Sequence, residues 1–119
     1  MKEEERVYEA KLNSELFEWV LENLMKNASD AIESKAGKIT VSVSEDSSFN
    51  IIDISDSGKG IEEKYIKDVF RPGYSTKQRG WGLGLSLSKR IIEDYHKGKI
   101  FIKETSAEKG TTFRIKLKK

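Results

Sequence analysis

Three oxygen-bearing side chains, Asn23, Asn27 and Asp30, stand four and three residues apart. On a helix of 3.6 residues per turn that spacing gathers them into one narrow stripe. Short amide and carboxylate oxygens in a row can hold an oxygen-preferring ion or reach a phosphate. A helix rim also tolerates such residues for no chemical purpose, although Asn is a poor helix former and two of them ask for a reason. Further on, "DSGKG" (56–60) directly follows a β-branched run. Asp56, at the end of a strand, can accept a hydrogen bond from a ligand amino group. Gly58 and Gly60 let the main chain approach a flat ring or take positive φ. An ordinary turn is the plain alternative.

A third group is "RGWGLGLSLSKR" (79–90), where Gly80, Gly82 and Gly84 alternate strictly before a helical pattern begins. Alternating glycines bare consecutive backbone N–H groups, and a helix start adds its positive dipole end. Together they suit an anion, phosphate above all. Two familiar phosphate motifs fail. The dinucleotide fingerprint requires a third glycine where this chain has Leu85 or Leu87, and the P-loop's Gly-Lys-Ser/Thr is absent. A bare linker would not carry Trp81, Leu83 and Leu85. Lys77 and Arg79 lie in the loop before the glycines, where they can reach terminal phosphates or serve as surface charge. Phe70 anchors the start of that loop in the core.

The elements that must position these groups follow from periodicity. From Leu12 to about Ser34, Phe17, Val20, Leu21, Leu24, Ala28 and Ala31 form a dry stripe, with Glu15, Glu18, Glu22, Lys26, Ser29 and Glu33 opposite. Asn13 or Ser14 can cap its start. Residues 6–10 suit a short strand. "KITVSVSE" (38–45) and "FNIIDIS" (49–55) read as a hairpin. Residues 62–69 suit a short helix, and 71–82 a loop with Pro72 and glycines. Leu83, Leu87, Ile91 and Tyr95 step by four, a second helix ended by Gly98. His96, at that helix's C-terminus, suits a favourable role at the negative end of its dipole. "KIFIKET" (99–105) and "TTFRIKLK" (111–118) make a second strand pair around "SAEKG". This order predicts an α+β two-layer sandwich, one antiparallel or mixed sheet with helices on one face.

The 119 residues suit a single domain, and a composition 36% hydrophobic and 35% charged suits a soluble core. A net charge of +2 gives no electrostatic case for nucleic acid. With no cysteine and one histidine, disulfides, thiolate catalysis and multi-histidine metal sites are excluded; an oxygen-ligated ion is not. No apolar run approaches the roughly 20 residues of a membrane span, and "MKEEER" is no signal peptide. The expected setting is cytoplasmic, as a free chain or the cytosolic part of something larger, with no membrane contact of its own.

"ENLMKNASDAIE", "DISDSGKGI", "VFRPGYSTK", "GWGLGLSLSKRIIEDY" and "KGTTFRIKL" together resemble the five successive motifs of the ATP-binding catalytic domain of sensor histidine kinases. That superfamily includes DNA gyrase B, Hsp90 and MutL. The motifs occur in order over roughly residues 12 to 118. The resemblance implies the Bergerat fold, a mostly antiparallel mixed sheet covered on one face by helices. It implies ATP or ADP as ligand, with Asn27 coordinating Mg²⁺ and Asn23 facing the same site. Asp56 would bond the adenine amino group, supported by Thr111. Gly58 and Gly60 would pass beneath the base, and Ile61 and Phe70 would belong to the same nucleotide site. Residues 71–82 would form a lid, with Lys77 and Arg79 near the γ-phosphate. Gly80, Gly82, Leu83, Gly84 and Leu85 would cradle the phosphates, and Asp30 would belong to the nucleotide site.

Gyrase-like ATPases carry a glutamate where this chain has Asn23, so the resemblance favours a kinase over a hydrolase. Many histidine kinases carry a basic residue where this chain has Asp30. The implied partners are a histidine-bearing dimerisation domain, absent from these residues, and a downstream response regulator. Without the acceptor domain the module alone is expected to transfer no phosphate. A serine kinase of the anti-sigma type and a non-catalytic nucleotide-binding module are alternatives within the same fold.

Overall fold

The computed structural model describes residues 13–32, 37–72 and 84–119. The predicted strand at 6–10 and most of the predicted loop, including Lys77, Arg79, Gly80, Gly82 and Leu83, lie outside the described residues.

Helix α1 spans Ser14–Ala31. Its start is set by Asn13, whose side-chain oxygen accepts the Leu16 N–H at 3.0 Å. The apolar stripe behaves as its spacing requires: Val20, Leu24 and Ala28 are buried, and Leu16, Phe17 and Leu21 pack beside them. Strands β1 (Ile39–Glu45) and β2 (Phe49–Asp56) form the expected hairpin. Asp46 closes its turn by accepting the Ser48 and Phe49 N–H groups, and those bonds hold its carboxyl below the usual range. The short helix expected at 62–69 is a single 3₁₀ turn, Glu63–Tyr65, followed by further turns.

The second helix is α-helical over Gly84–Lys89 (α2) and widens into a π-helical segment, Arg90–Tyr95. The four-residue step that marks this helix coincides with its buried face only at Ile91 among the described residues. Leu87 and Tyr95 are exposed, whereas Ser88, Ile91 and Ile92 are inside. The wider π turn rotates successive side chains off the α-helical row. Strands β3 (Lys99–Ser106) and β4 (Gly110–Lys118) complete the sheet, in the order β1-β2-β4-β3. Among the described residues every pairing is antiparallel.

Both helices cover one face of this sheet. Val20 and Leu24 meet Ile54, Ile92, Ile100, Phe113, Ile115 and Leu117 there in one core. Edge strand β1 is the exception. Val41 and Val43 pair with Ile54 and Ile52 on the same side, yet stay 47% and 44% exposed. The helical layer stops short of that edge. On the open face, Arg114 grips Asp53 with two bonds of 2.8 Å. No described helix is long and apolar enough to cross a membrane.

Candidate functional site

Helix α1 has chemistry at both ends of its inner flank. At Asn23 the side-chain amide lies along α2. Its Nδ2 donates to Ser88 Oγ at 3.2 Å. Its Oδ1 sits so close to Gly84 that a Cβ there would overlap it and lie 2.9 Å from Cγ. Ser88 is fully buried, so the amide is tied to the interior of α2. Asn27 follows one turn on, half-buried, and Asp30 is exposed. At the far end, Ala31 presents its carbonyl to the 56–60 loop: Lys59 N–H donates to it at 3.2 Å. A Cβ on Gly58 would come within 2.5 Å of the same oxygen. Asn23 and Ala31 are separated by two turns of helix, about 12 Å along its axis.

Asp56 is the buried acid of this second cluster, 6% exposed at the end of β2. Its Oδ1 accepts the Gly58 N–H at 2.8 Å and the Thr111 N–H at 3.4 Å. Neither bond uses Oδ2. Thr111 stands opposite Asp56 in the β2–β4 register. Gly110, at φ +85°, packs its Cα onto the Asp56 carbonyl. Gly60, at φ +77°, packs onto the backbone of Ser106, the last residue of β3. Ile61 is half-buried against the core and sends its N–H to Thr105 Oγ1 at 2.8 Å. Thus Asp56, Gly58, Gly60, Ile61 and Thr111 form one cluster, and Asn23, Gly84 and Ser88 another, joined by α1.

Two more expected residues sit against the core. Leu85 packs on it from the start of α2. Phe70 meets Phe113 edge to face with centroids 6.0 Å apart, and the Lys89 ammonium lies 5.5 Å from the Phe70 ring centre. His96 meets the C-terminal end of the second helix through a hydrogen bond. Its Nε2 accepts the Asn13 N–H at 2.9 Å, so Nδ1 carries the ring proton and donates to the Ile91 carbonyl. The ring links the start of α1 to the end of the second helix.

Three positions escaped the sequence: Ser88, Thr105 and Gly110. A serine within the apolar pattern after Gly84 was a usable hint for Ser88. A glycine closing "SAEKG" was one for Gly110. Thr105 offered none.

Residues 13–119 match the family model described as histidine kinase-, DNA gyrase B-, and HSP90-like ATPase. Sporulation kinase C of Bacillus subtilis is 37% identical over 95 residues, 80% of this chain and 22% of that protein. The C4-dicarboxylate transport sensor protein DctB of Rhizobium meliloti is 40% identical over 103 residues, 86% of this chain and 16% of that one. This chain therefore spans about a fifth of the length of these relatives. Among solved structures, a nucleotide-free form of the catalytic domain of histidine kinase ThkA superposes with a TM-score of 0.82 at 33% identity, covering 92% of this chain and 71% of that one. The chain belongs to the histidine kinase-, DNA gyrase B- and HSP90-like ATPase family, among the catalytic domains of histidine kinases.

Proposed function

We propose that this chain holds Mg²⁺·ATP and presents the γ-phosphate to a histidine on a separate dimerisation domain, the first phosphorylation of a two-component pathway. The observation that carries the reading is Asp56. This buried carboxylate keeps Oδ2 out of both its N–H bonds, and the chain closes around it at Gly58 and Gly110, where a Cβ would collide with backbone. A buried carboxylate oxygen outside both N–H bonds fits the amino group of a flat base. Adenine offers such a donor; guanine offers a carbonyl oxygen at that position.

The Asn23 and Gly84 contact, about two helical turns away, suits the phosphate end. Lys77, Arg79, Gly80, Gly82 and Leu83 complete that end in this reading. Among the described residues no three His, Cys, Asp or Glu side chains converge. Asn23 and Asn27 on α1 are neutral amides, with Asp30 exposed beyond them. Such a set suits Mg²⁺ arriving with phosphates, since that ion keeps substrate and water oxygens around it. Asn27 would hold it, and the bound ion would neutralise phosphate charge. The protein's own contribution is positioning, the main task in phosphoryl transfer. Asn23, an amide, provides no base to activate water, which favours transfer to a side chain over hydrolysis. The setting is the cytoplasm, with a response regulator downstream.

Calorimetric titration with Mg·ADP and Mg·ATP should give saturable binding near one nucleotide per chain. Labelled ATP with a dimerisation domain should place label on histidine, while the chain alone releases almost no phosphate. No saturable binding would overturn the reading. Label on serine would favour the anti-sigma type of kinase, and binding without transfer a nucleotide-sensing module.

A further inference from the structure

On β3 the simple alternation of "KIFIKETS" would send Ile100, Ile102 and Glu104 inward and Thr105 outward. The structure departs from that. Ile102 pairs with Phe113, but Glu104 pairs with Thr112 and Thr105 with Thr111, because an extra residue, Lys103, bulges between them. A bulge reverses the parity of everything after it, and such bulges are known to re-aim side chains beside functional sites. Here Thr105 is turned to the inner face, directly across from Thr111.

The consequence is a chain of hydrogen bonds. Ile61 N–H donates to Thr105 Oγ1 at 2.8 Å, and Thr105 Oγ1 lies 2.8 Å from Thr111 Oγ1. The Thr111 N–H in turn reaches Asp56 Oδ1 at 3.4 Å. A hydroxyl that already accepts a hydrogen bond is polarised into a better donor. With Thr105 as the donor of that pair, Thr111 keeps its own proton to offer outward. The site then shows a donor, the Thr111 hydroxyl, beside an acceptor, the Asp56 carboxylate. Adenine's base-pairing edge presents the complementary pair, an amino donor next to a ring-nitrogen acceptor. Guanine presents the reverse order.

We propose that Thr105 is a positioning residue for nucleotide choice: by fixing the Thr111 proton and the Ile61 backbone, it sets the preference for adenine over guanine. This rests on the nucleotide-binding reading above. It adds a residue that touches no ligand and acts through Thr111.

The test is calorimetric titration of the chain with Mg·ATP and Mg·GTP. Thr105→Val keeps the shape and removes the hydroxyl; Thr105→Ser keeps the hydroxyl and removes the methyl. The expected result for Thr105→Val is a loss of about tenfold in ATP affinity, the usual scale for one hydrogen bond with a polar group left unmatched. GTP binding should change less, so the ATP-to-GTP ratio shrinks, while Thr105→Ser restores it. If Thr105→Val does not fold, Thr105→Cys, whose thiol is a weak donor and acceptor, must show the same shrunken ratio. An unchanged ratio, an equal loss for both nucleotides, or failure of Thr105→Ser to restore the ratio would overturn the assignment. If the unaltered chain takes up neither nucleotide, the binding reading falls and this inference with it. If the unaltered chain binds and Thr105→Val binds alike, only the inference falls.

Discussion

Gly110→Ala tests the wall of the Asp56 site directly. Gly110 sits at φ +85°. Placing a Cβ there costs about 1–2 kcal/mol for the left-handed backbone alone. The new methyl would also overlap the Asp56 carbonyl and come within 2.9 Å of the Gly58 nitrogen. These are backbone atoms held by the β2–β4 ladder, so no side chain can swing aside. Forcing atoms into such a contact typically costs a further 1–3 kcal/mol or so. The two effects together come to about 2–5 kcal/mol, a large share of the roughly 5–15 kcal/mol that holds a domain folded. At about 4–8 °C per kcal/mol for a small domain, the thermal midpoint should fall by at least about 8 °C. Gly110→Asn separates the two causes. Asn tolerates positive φ better than Ala but brings the same Cβ, so it should remain destabilised though by less. Circular dichroism melts of the three proteins are sufficient. A Gly110→Ala midpoint within about 2 °C of the parent would refute the close approach of Gly110 to Asp56.

Gly84→Ala should behave in the opposite way. Its Cβ meets only the Asn23 side chain, which can move, and Ala favours helix by up to about 1 kcal/mol. Stability should change little while ATP affinity falls, because Asn23 is pushed from its bond to Ser88; a melt beside a nucleotide titration checks both, and undiminished binding would count against Asn23. The Asp53–Arg114 pair gives a pH prediction remote from the site. The guanidinium's hydrogen bonds hold the Asp53 carboxyl below the usual range, against a smaller opposing effect of burial. A carboxyl depressed in the folded state stabilises fully above its unfolded value of about 3.9 and loses that contribution as pH falls through the folded value. Asp53→Asn should therefore cost about 1 kcal/mol in urea melts at pH 7, and the gap to the parent should narrow below about pH 4. A gap that widens with acid would reverse the assignment.

Much of this molecule was legible in its residues. The stripe Val20, Leu24, Ala28 specified α1 and its buried side, because helical period is a local property that packing then confirms. Asn13 and Ser14 marked the helix start, and the structure gives the cap to Asn13. The β-branched runs announced four strands, and "DSGKG" after one of them located Asp56. The places where glycine was indispensable were also visible as residue types.

Other features depended on residues far apart in the chain meeting in space. Asn23 finds Ser88 65 positions away, His96 finds Asn13 83 positions away, and Thr111 N–H finds Asp56 55 positions away. No local pattern encodes those pairings. Leu87 and Tyr95 share a four-residue row with the buried Ile91 yet face solvent, and of the two only Tyr95 lies in the π turn. Thr105 is the clearest case. Its residue type and the alternation around it point outward, and only the extra residue accommodated at Lys103, fixed by pairing with β4, turns it inward. Sequence by itself determined the elements, the core stripe and the types of group that could bind. Register, and with it which of those groups share a site, was decided by the assembled sheet, because a one-residue slip that leaves every local preference satisfied still reverses what a strand presents.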